Sequence, residues 1–270
     1  MSARRALLER LIDHAALFPP ASLDMPAAME ENRRARASAE AWMLGRFIVP
    51  ASRLGELPDD PPALSVLLDR GEGDLDALAA YPVELVEGRI DVAWIPDTTA
   101  LVREKVGADA YWELAPGRGL PGAVAAVREA GAGAKIRCGG VTADAFPPVA
   151  AVAAFVAACR DAGVRFKATA GLHHPVRGVR DGLPMHGFLN LLAAAVFAHA
   201  EGLSEREIAA ILAEEDPGAF SVDDGGLAVH GHHAGAEAIA AARAELFAAY
   251  GSCSFSEPVD DLTEIGVLPL

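Results

Sequence analysis

Residues 134–170 read AKIRCGGVTADAFPPVAAVAAFVAACRDAGVRFKATA. This stretch begins with a short apolar run at Ala134–Cys138 and ends with another at Arg165–Ala170. Between them lies an alanine-rich segment, Pro148–Ala162, which has the length and composition of a helix. A strand, a helix and a second strand in this order form a βαβ unit, so the stretch predicts two neighbouring parallel strands.

The same alternation continues in both directions along the chain. Further strands are predicted at Leu44–Val49, Ala63–Leu68, Val83–Glu87, Ala110–Leu114 and Ala219–Val222. Predicted helices include Arg4–Ile12, 25–41, Asp74–Ala80, 184–201 and 234–250. About eight such units favour an α/β fold in which residues 1–270 form a single (β/α)8 TIM barrel, with an N-terminal helix and a C-terminal tail at Gly251–Leu270. GxxxxGK[ST] does not occur in the sequence, which argues against a P-loop nucleotide-binding fold.

Composition restricts the class of partner. The formal net charge of −15 argues against nucleic acid or an anionic membrane. Charges interrupt the apolar runs of the N-terminal residues, which is unlike a signal peptide. Three cysteines without CxxC spacing are typical of a reducing compartment, so we expect a cytoplasmic protein that binds a small molecule. The apolar segment 188–198 fits either a homodimer contact or burial within one chain.

Lysine is rare in this chain. Of 23 basic residues, only three are lysines: Lys105, Lys135 and Lys167. Strand alternation places Lys135 on the same face as Arg137, and Lys167 on the same face as Thr169. One βα unit separates the two strand lysines, so we expect their amines on adjacent strands inside the barrel.

Two paired amines have a chemical and a structural interpretation. A neighbouring cation and partial burial lower the pKa of a lysine toward neutrality, and a neutral amine can attack a carbonyl to form an imine. In the structural interpretation, the lysines neutralise Glu84 and Glu113 within the barrel. The spacing alone does not decide between them.

Three short segments resemble the deoxyribose-phosphate aldolase family, which has an IDHTLL-like opening, a KTSTG strand and an FKPAGG strand in this order. The segments are Ile12-Asp13-His14-Ala15-Ala16-Leu17, Lys135-Ile136-Arg137-Cys138-Gly139 and Phe166-Lys167-Ala168-Thr169-Ala170-Gly171-Leu172. The resemblance implies a class I aldolase barrel that needs no cofactor. It implies that Lys135 is the Schiff-base lysine and Lys167 the amine that perturbs it. Glu84 then stands for the family's proton-shuttling aspartate, and Glu113 for the glutamate of its ILET strand.

The expected substrate is a small carbonyl compound, bound at the mouth of the barrel. The residues expected to bind it are Asp13, His14, Arg137, Thr169, Gly171 and His173. Arg137 replaces a small hydroxyl residue of the family's KTSTG strand. An acidic loop, Asp223-Asp224-Gly225-Gly226, follows the predicted last strand where the family has a phosphate-binding loop. These two departures favour a substrate that carries a carboxylate, held by Arg137, over a phosphorylated sugar.

Two other function classes are compatible with the same residues. A metal-dependent barrel hydrolase or lyase would use carboxylates and the histidines His14, His173, His174 and His186, although the sequence has no HExxH motif. A barrel without catalytic chemistry would act as a binding protein. The imine-forming lyase is the preferred prediction, and it requires no metal.

Overall fold

Eight parallel strands close into a barrel in the computed structural model of this chain, which describes residues 1–71, 73, 75–180 and 182–269. The first barrel strands are β1 (Ile12–His14), β2 (Leu44–Pro50), β3 (Leu64–Leu67), β4 (Val83–Gly88), β5 (Asp109–Glu113), β6 (Gly133–Arg137) and β7 (Phe166–Thr169). Short antiparallel strands outside the barrel follow: β8 (Gly178–Arg180), β9 (Leu183–Met185), β10 (Ser221–Val222), β11 (Leu227–Val229) and β12 (His232–Ala234). The remaining barrel strand is β13 (Phe247–Ser252), which pairs with β1 and β7.

Helices surround this barrel and connect its strands. They are α1 (Ala3–Leu8), α2 (Met25–Ala37), α3 (Leu75–Leu78), α4 (Ile95–Lys105), α5 (Leu120–Ala130), α6 (Val149–Ala162), α7 (Phe188–Glu201), α8 (Glu205–Leu212), α9 (Ala236–Glu245) and α10 (Ser256–Glu264). The arrangement confirms the predicted (β/α)8 barrel. The predicted helix Asp74–Ala80 is observed as α3, while Asp74 itself and Leu270 of the predicted tail lie outside the described residues.

The βαβ unit predicted from residues 134–170 is present with the expected register. In the pairing of β6 with β7, Lys135 lies opposite Lys167 and Arg137 opposite Thr169. The alternate positions face the helices; for example, the buried Phe166 packs edge-on against Phe155 of α6, with ring centroids 5.4 Å apart. Apolar burial on the outside of the sheet therefore fixes the polar side chains on the inside.

The last barrel strand is not where the sequence predicted it. Ser221–Val222 belongs to a small antiparallel sheet, and the predicted helix 234–250 ends at Glu245. The chain then forms β13, and the predicted tail contains α10. The sequence of β13, FAAYGS, is rich in small residues and has few β-branched ones, so its pattern resembles the preceding alanine-rich helix more than a strand.

The first barrel strand was also missed, because it has only three residues. Ile12–His14 pairs with both β2 and β13, whereas the sequence predicted a helix continuing to Ile12. The helix ends at Leu8, and all three strand residues are buried. So short a strand has no periodicity of its own, and its place is set by its two partner strands.

The apolar segment 188–198 is buried within the chain. Every residue from Phe188 to Ala198 is buried in α7, which packs against α6, α8 and α9. Asn190 bridges elements: its Nδ2 donates to the carbonyls of Ile211 and Glu214 at 2.8 Å, and its Oδ1 accepts from the Arg177 amide at 2.9 Å. The segment therefore gives no argument for a dimer, and oligomeric state stays a prediction.

One helical stretch among the described residues, 143–162, is long and apolar enough to cross a membrane by length and composition. Pro147 and Pro148 divide it, however, and the continuous helix α6 has 14 residues. At 1.5 Å per residue that helix is about 21 Å long, shorter than a bilayer's hydrocarbon core. Phe155, Val156 and Cys159 are buried in the protein, so α6 is a core helix.

Candidate active site

A cavity of about 300 Å³ lies where the barrel strands end and their following loops begin. Its polar walls are formed by Glu87, Lys135, Arg137, Thr169, His173 and Cys253. Its apolar walls include Phe18, Pro19, Pro20, Ile48, Leu67 and Val141. This is the carboxyl-terminal end of the strands, where (β/α)8 barrels carry their active sites. The cavity is therefore the candidate active site.

A buried carboxylate joins the two strand lysines beneath this cavity. Glu87 Oε2 accepts from Lys135 Nζ at 3.0 Å, and Glu87 Oε1 accepts from Lys167 Nζ at 3.0 Å. The Ser65 hydroxyl also donates to Oε1, at 2.6 Å. Lys167 has a second carboxylate in Asp13, whose Oδ2 lies 2.9 Å away. Two amines on adjacent strands are thus tied together by one shared carboxylate.

The electrostatics of this layer follow from burial and charge. Burial alone would raise the pKa of Glu87, but Lys135, Lys167 and the Ser65 hydroxyl outweigh it and hold that pKa far below its usual range. Burial opposes the charged form of Lys167, but Asp13 and Glu87 outweigh it and raise the pKa of Lys167 above its ordinary value. Lys167 is therefore a stable cation.

The two lysines differ in their access to the cavity. All three lysines are described, and of these Lys135 lines the cavity. Lys167, which is 1% exposed, lies behind Glu87 and Asp13. Only the Lys135 amine can thus meet a molecule in the cavity, while Lys167 acts on it through the shared carboxylate.

Arg137 and Glu113 flank Lys135 as the sequence predicted. Glu113 Oε2 lies 3.4 Å from Lys135 Nζ, and Glu113 Oε1 accepts from Arg137 Nε at 3.3 Å. The Arg137 side chain is 51% exposed and lines the cavity. A guanidinium has five N–H donors, so one bond to Glu113 leaves donors for an anionic group.

Glu84, predicted as the proton-shuttling residue, is far along the barrel from the cavity. It starts β4, and its Oε2 accepts from Arg10 at 2.6 Å and lies 3.0 Å from Arg46 Nε. Glu87, three residues later, occupies the position between the lysines instead. Three residues advance a strand by about 10 Å, so Glu84 lies about that far from Glu87 along β4, toward the end of the barrel opposite the cavity. The assignment of Glu84 to the site is therefore corrected to Glu87.

His14, expected to bind substrate, lies outside the barrel against α2. Its Nδ1 is 3.1 Å from Asn32 Nδ2, its Nε2 is 3.4 Å from Glu31 Oε1, and its ring packs on Phe47. The preceding residue, Asp13, points the other way and holds Lys167. Strand alternation thus separates these neighbours, and His14 does not line the cavity.

Some of the other predicted binding residues line the cavity, and one lies in the buried charged layer beneath it. Thr169, Gly171 and His173 line the cavity, whereas Asp13 supports Lys167 from below. Cys253, which the sequence left unassigned, also lines it, because β13 rather than residues 219–222 completes the barrel. The acidic loop at Asp223–Gly226 does not follow a barrel strand. Its Asp224 pairs with Arg4 of α1, so the loop says nothing about which anion the cavity accepts.

The histidines do not converge. His174 pairs with Asp261 at 2.6 Å and His186 Nε2 bonds to the Pro147 carbonyl at 2.7 Å, while His173 faces the cavity. Within residues 1–71, 73, 75–180 and 182–269, no group of three or more histidine, cysteine, aspartate or glutamate side chains is arranged to hold a metal ion. The described geometry gives the metal-dependent alternative no ligand set.

Asp13 depends on a close approach by Gly45, which gives a testable prediction. A Cβ at position 45 would lie 2.4 Å from Asp13 Oδ1. Gly45→Ala must therefore displace the carboxylate that holds Lys167, and we expect it to lower the free energy of unfolding by about 2 kcal/mol in chemical denaturation. Gly55→Ala is the control, because nothing lies within 4 Å of the place where a Cβ at position 55 would be. Equal stability of the two variants would contradict the prediction.

Comparison with known protein families finds no family that matches this chain. Comparison with curated proteins finds no significantly similar sequence. The fold and the geometry of the cavity therefore carry the functional argument.

Proposed function

We propose that this barrel is a class I, imine-forming lyase that acts on a small carbonyl compound, with Lys135 as the nucleophile. One observation carries the proposal: Lys135 lines the cavity while a second, buried lysine shares its carboxylate. A surface lysine is freely hydrated and protonated, whereas an amine in a closed site can be positioned against a bound carbonyl.

The proposed reaction begins when the neutral Lys135 amine adds to the carbonyl carbon. Loss of water gives an iminium, which withdraws electrons from the neighbouring carbon–carbon bond and allows that bond to break or form. Glu87 and the cationic Lys167 hold the amine in place and provide a fixed electrostatic environment. Asp13 anchors Lys167 in turn.

Arg137 supports a substrate that carries a carboxylate. Its half-exposed guanidinium lines the same cavity two residues after Lys135 on β6, about 7 Å further toward the mouth. A 2-oxo acid would thus have its carbonyl near Lys135 and its carboxylate within reach of Arg137. The apolar wall around Phe18, Ile48 and Leu67 would receive the rest of the molecule.

The alternative is a binding protein without catalytic activity, and the ion pairs of Lys135 favour it. Glu87 and Glu113 lie close enough to Lys135 to neutralise its charge, as in the structural interpretation of the sequence. In that case a carbonyl compound would occupy the cavity without forming a covalent bond. The two functions differ in one measurable product, the reduced imine.

Borohydride reduction tests the proposal. The protein is incubated separately with pyruvate, acetaldehyde and glycolaldehyde phosphate, reduced, digested and mapped by mass spectrometry. With only three lysines, the labelled site is unambiguous. We expect a stable adduct on Lys135, formed most readily with pyruvate, and its loss in Lys135→Arg. Lys105→Arg, a change on the surface helix α4, is the matched control and should keep the adduct.

Each other outcome has a defined meaning. No adduct on Lys135 from any of the three carbonyl compounds would refute imine chemistry, and binding without an adduct would favour the non-catalytic function. An adduct confined to Lys105 would show surface reactivity alone. Preference for glycolaldehyde phosphate over pyruvate would overturn the carboxylate assignment while leaving the imine intact.

A further inference from the structure

A histidine at the rim of the cavity is held by two side chains that follow the neighbouring barrel strand. His173 follows β7, while Cys253 and Glu257 follow β13. His173 Nδ1 lies 3.8 Å from Cys253 Sγ and 3.5 Å from Glu257 Oε2. His173 and Cys253 both line the cavity. This group lies outside the layer of lysines and carboxylates.

Both contacts engage the same ring nitrogen. A carboxylate facing Nδ1 favours the tautomer with the proton on Nδ1; in that tautomer the Cys253 sulfur is an acceptor and Nε2 keeps the lone pair. Among the described residues, none makes a hydrogen bond or ion pair with Nε2 of His173. Nε2 is therefore the nitrogen that remains to accept a proton from a molecule in the cavity.

The neighbouring Cys253 thiol is a poorer candidate for the nucleophile than the Lys135 amine. Burial raises the pKa of Cys253, so the side chain stays a neutral thiol. A nucleophilic cysteine requires the thiolate, which needs the opposite shift. Cys253 thus packs beside the imidazole and helps to fix it.

Lys135 and His173 lie at different depths along the barrel, so they would contact different parts of a bound molecule. Lys135 lies within β6 opposite Lys167, whereas His173 lies in the loop four residues beyond Thr169, the last residue of β7. A molecule whose carbonyl is held by Lys135 extends past Thr169 toward the rim. The atoms that follow its carbonyl group are thus the ones that approach His173.

Resting on the lyase function proposed above, we propose that His173 is the base that accepts the proton of the substrate's β-hydroxyl during carbon–carbon cleavage. Nε2 takes the hydroxyl proton, and the hydroxyl oxygen becomes the carbonyl of the departing aldehyde. The bond between the α and β carbons breaks, and its electron pair passes into the iminium on Lys135, which becomes an enamine. The enamine then gains a proton from solvent at carbon, water hydrolyses the iminium, and His173 returns its proton to solvent.

The carboxylate beside Lys135 is poorly suited to this step. The pKa of Glu87 lies far below its usual range because of the two lysines, and a weakly basic group is an inefficient proton acceptor near neutral pH. Its oxygens are also occupied by both amines and by Ser65. An imidazole with its lone pair on Nε2 can accept a proton and later release it, which suits His173 to this step.

Three measurements on His173→Gln separate this role from imine formation. Pyruvate with borohydride reports the Lys135 adduct, and exchange of the pyruvate methyl protons in D2O, followed by NMR, reports enamine formation. Cleavage of 4-hydroxy-2-oxopentanoate to pyruvate and acetaldehyde reports the step assigned to His173. We expect the first two to remain within about threefold of wild type and cleavage to fall by about 10²–10⁴-fold. His174→Gln is the matched control, because His174 pairs with Asp261 outside the cavity, and it should retain all three activities.

The outcomes distinguish the two proposals. A wild-type protein without adduct or exchange would refute the lyase function itself. If adduct and exchange are present but His173→Gln cleaves like wild type, or loses all three activities while folded, the assignment of His173 is wrong. A wild type that forms the adduct and exchanges protons but does not cleave the hydroxy acid also overturns it.

Glu257→Gln provides a second variant in case His173→Gln does not fold. Glu257 acts as a positioning residue through His173, so we expect cleavage to fall by about tenfold, with adduct and proton exchange unchanged. Because the amide keeps the shape of the side chain on the exposed start of α10, stability should be preserved. Unchanged cleavage in this variant would contradict the orienting contact.

Discussion

Glu87→Gln is expected to lower the free energy of unfolding by about 3 kcal/mol, because it leaves two buried ammonium groups without their shared counter-charge. Lys167 keeps Asp13 and Lys135 keeps Glu113, so the loss should lie at the lower end of the range for broken buried ion pairs. Urea denaturation at neutral pH measures the change.

The control for this prediction lies on the same strand. Glu84→Gln also removes a carboxylate from β4, but the Glu84 side chain is 38% exposed and pairs with arginines at the other end of the barrel. We expect a loss within about 1 kcal/mol, as for exposed ion pairs. Equal decreases in the free energy of unfolding of the two variants would show that the buried ion pairs of Glu87 stabilise the fold no more than exposed ones.

The difference between wild type and Glu87→Gln should also depend on pH. The pKa of Glu87 is lowered in the folded state, so its stabilisation is present above the ordinary pKa of glutamate and is lost as the pH falls. The stability difference should therefore be full at neutral pH and shrink below about pH 4. A difference that stays constant or grows on acidification would contradict the direction of this shift.

Arg243→Met is expected to lower the free energy of unfolding by about 4 kcal/mol, through the loss of several charge-assisted hydrogen bonds to backbone carbonyls. The buried guanidinium donates to the carbonyls of Leu7, Glu9, Phe247 and Ala248. Leu7 and Glu9 precede β1, and the other two belong to β13, so Arg243 fastens the seam where the first and last barrel strands pair.

Arg103→Met is the matched control, because Arg103 is exposed and its hydrogen bond to the Gly131 carbonyl is long, at 3.4 Å. We expect that variant to stay within about 0.5 kcal/mol of wild type in chemical denaturation. A loss below about 1 kcal/mol in Arg243→Met would mean that water replaces the guanidinium at these carbonyls.

The sequence predicts the β6–β7 half of the site well. Lys135 and Lys167 are each flanked by apolar residues and separated by one complete βα unit, so their adjacency follows from barrel connectivity. Arg137 and Thr169 then follow by alternation. Local pattern and topology agree here, and the cavity contains both residues.

The carboxylate that completes the layer could not be chosen from sequence. Glu84 and Glu87 both lie in β4, and the pairing of β3 with β4 shifts register between Leu64–Val83 and Ser65–Leu85. Simple alternation fails across such an irregularity. Which glutamate meets the lysines depends on depth along the barrel, and depth is set by partner strands rather than by the strand's own residues.

The β13 side of the site was missed for a different reason. An alanine-rich strand that follows an alanine-rich helix carries little signal, and its position depends on pairing with β1 and β7. With β13 misplaced, Cys253 and Glu257 had no predicted location. The contacts of His173 could therefore be recognised only in three dimensions.

Gly251 of β13 faces the cavity, where a Cβ would lie 3.0 Å from Ile48 Cδ1 and 3.5 Å from Thr169 Oγ1. The space available to a ligand thus depends in part on the absence of a side chain at this position, which pairs with Asp13 of β1 and Thr169 of β7. Successively larger side chains there would narrow the chamber without removing any charged group. The size of the side chain at position 251 would consequently set the size of ligand that the cavity accepts, both in natural variants and in engineered ones.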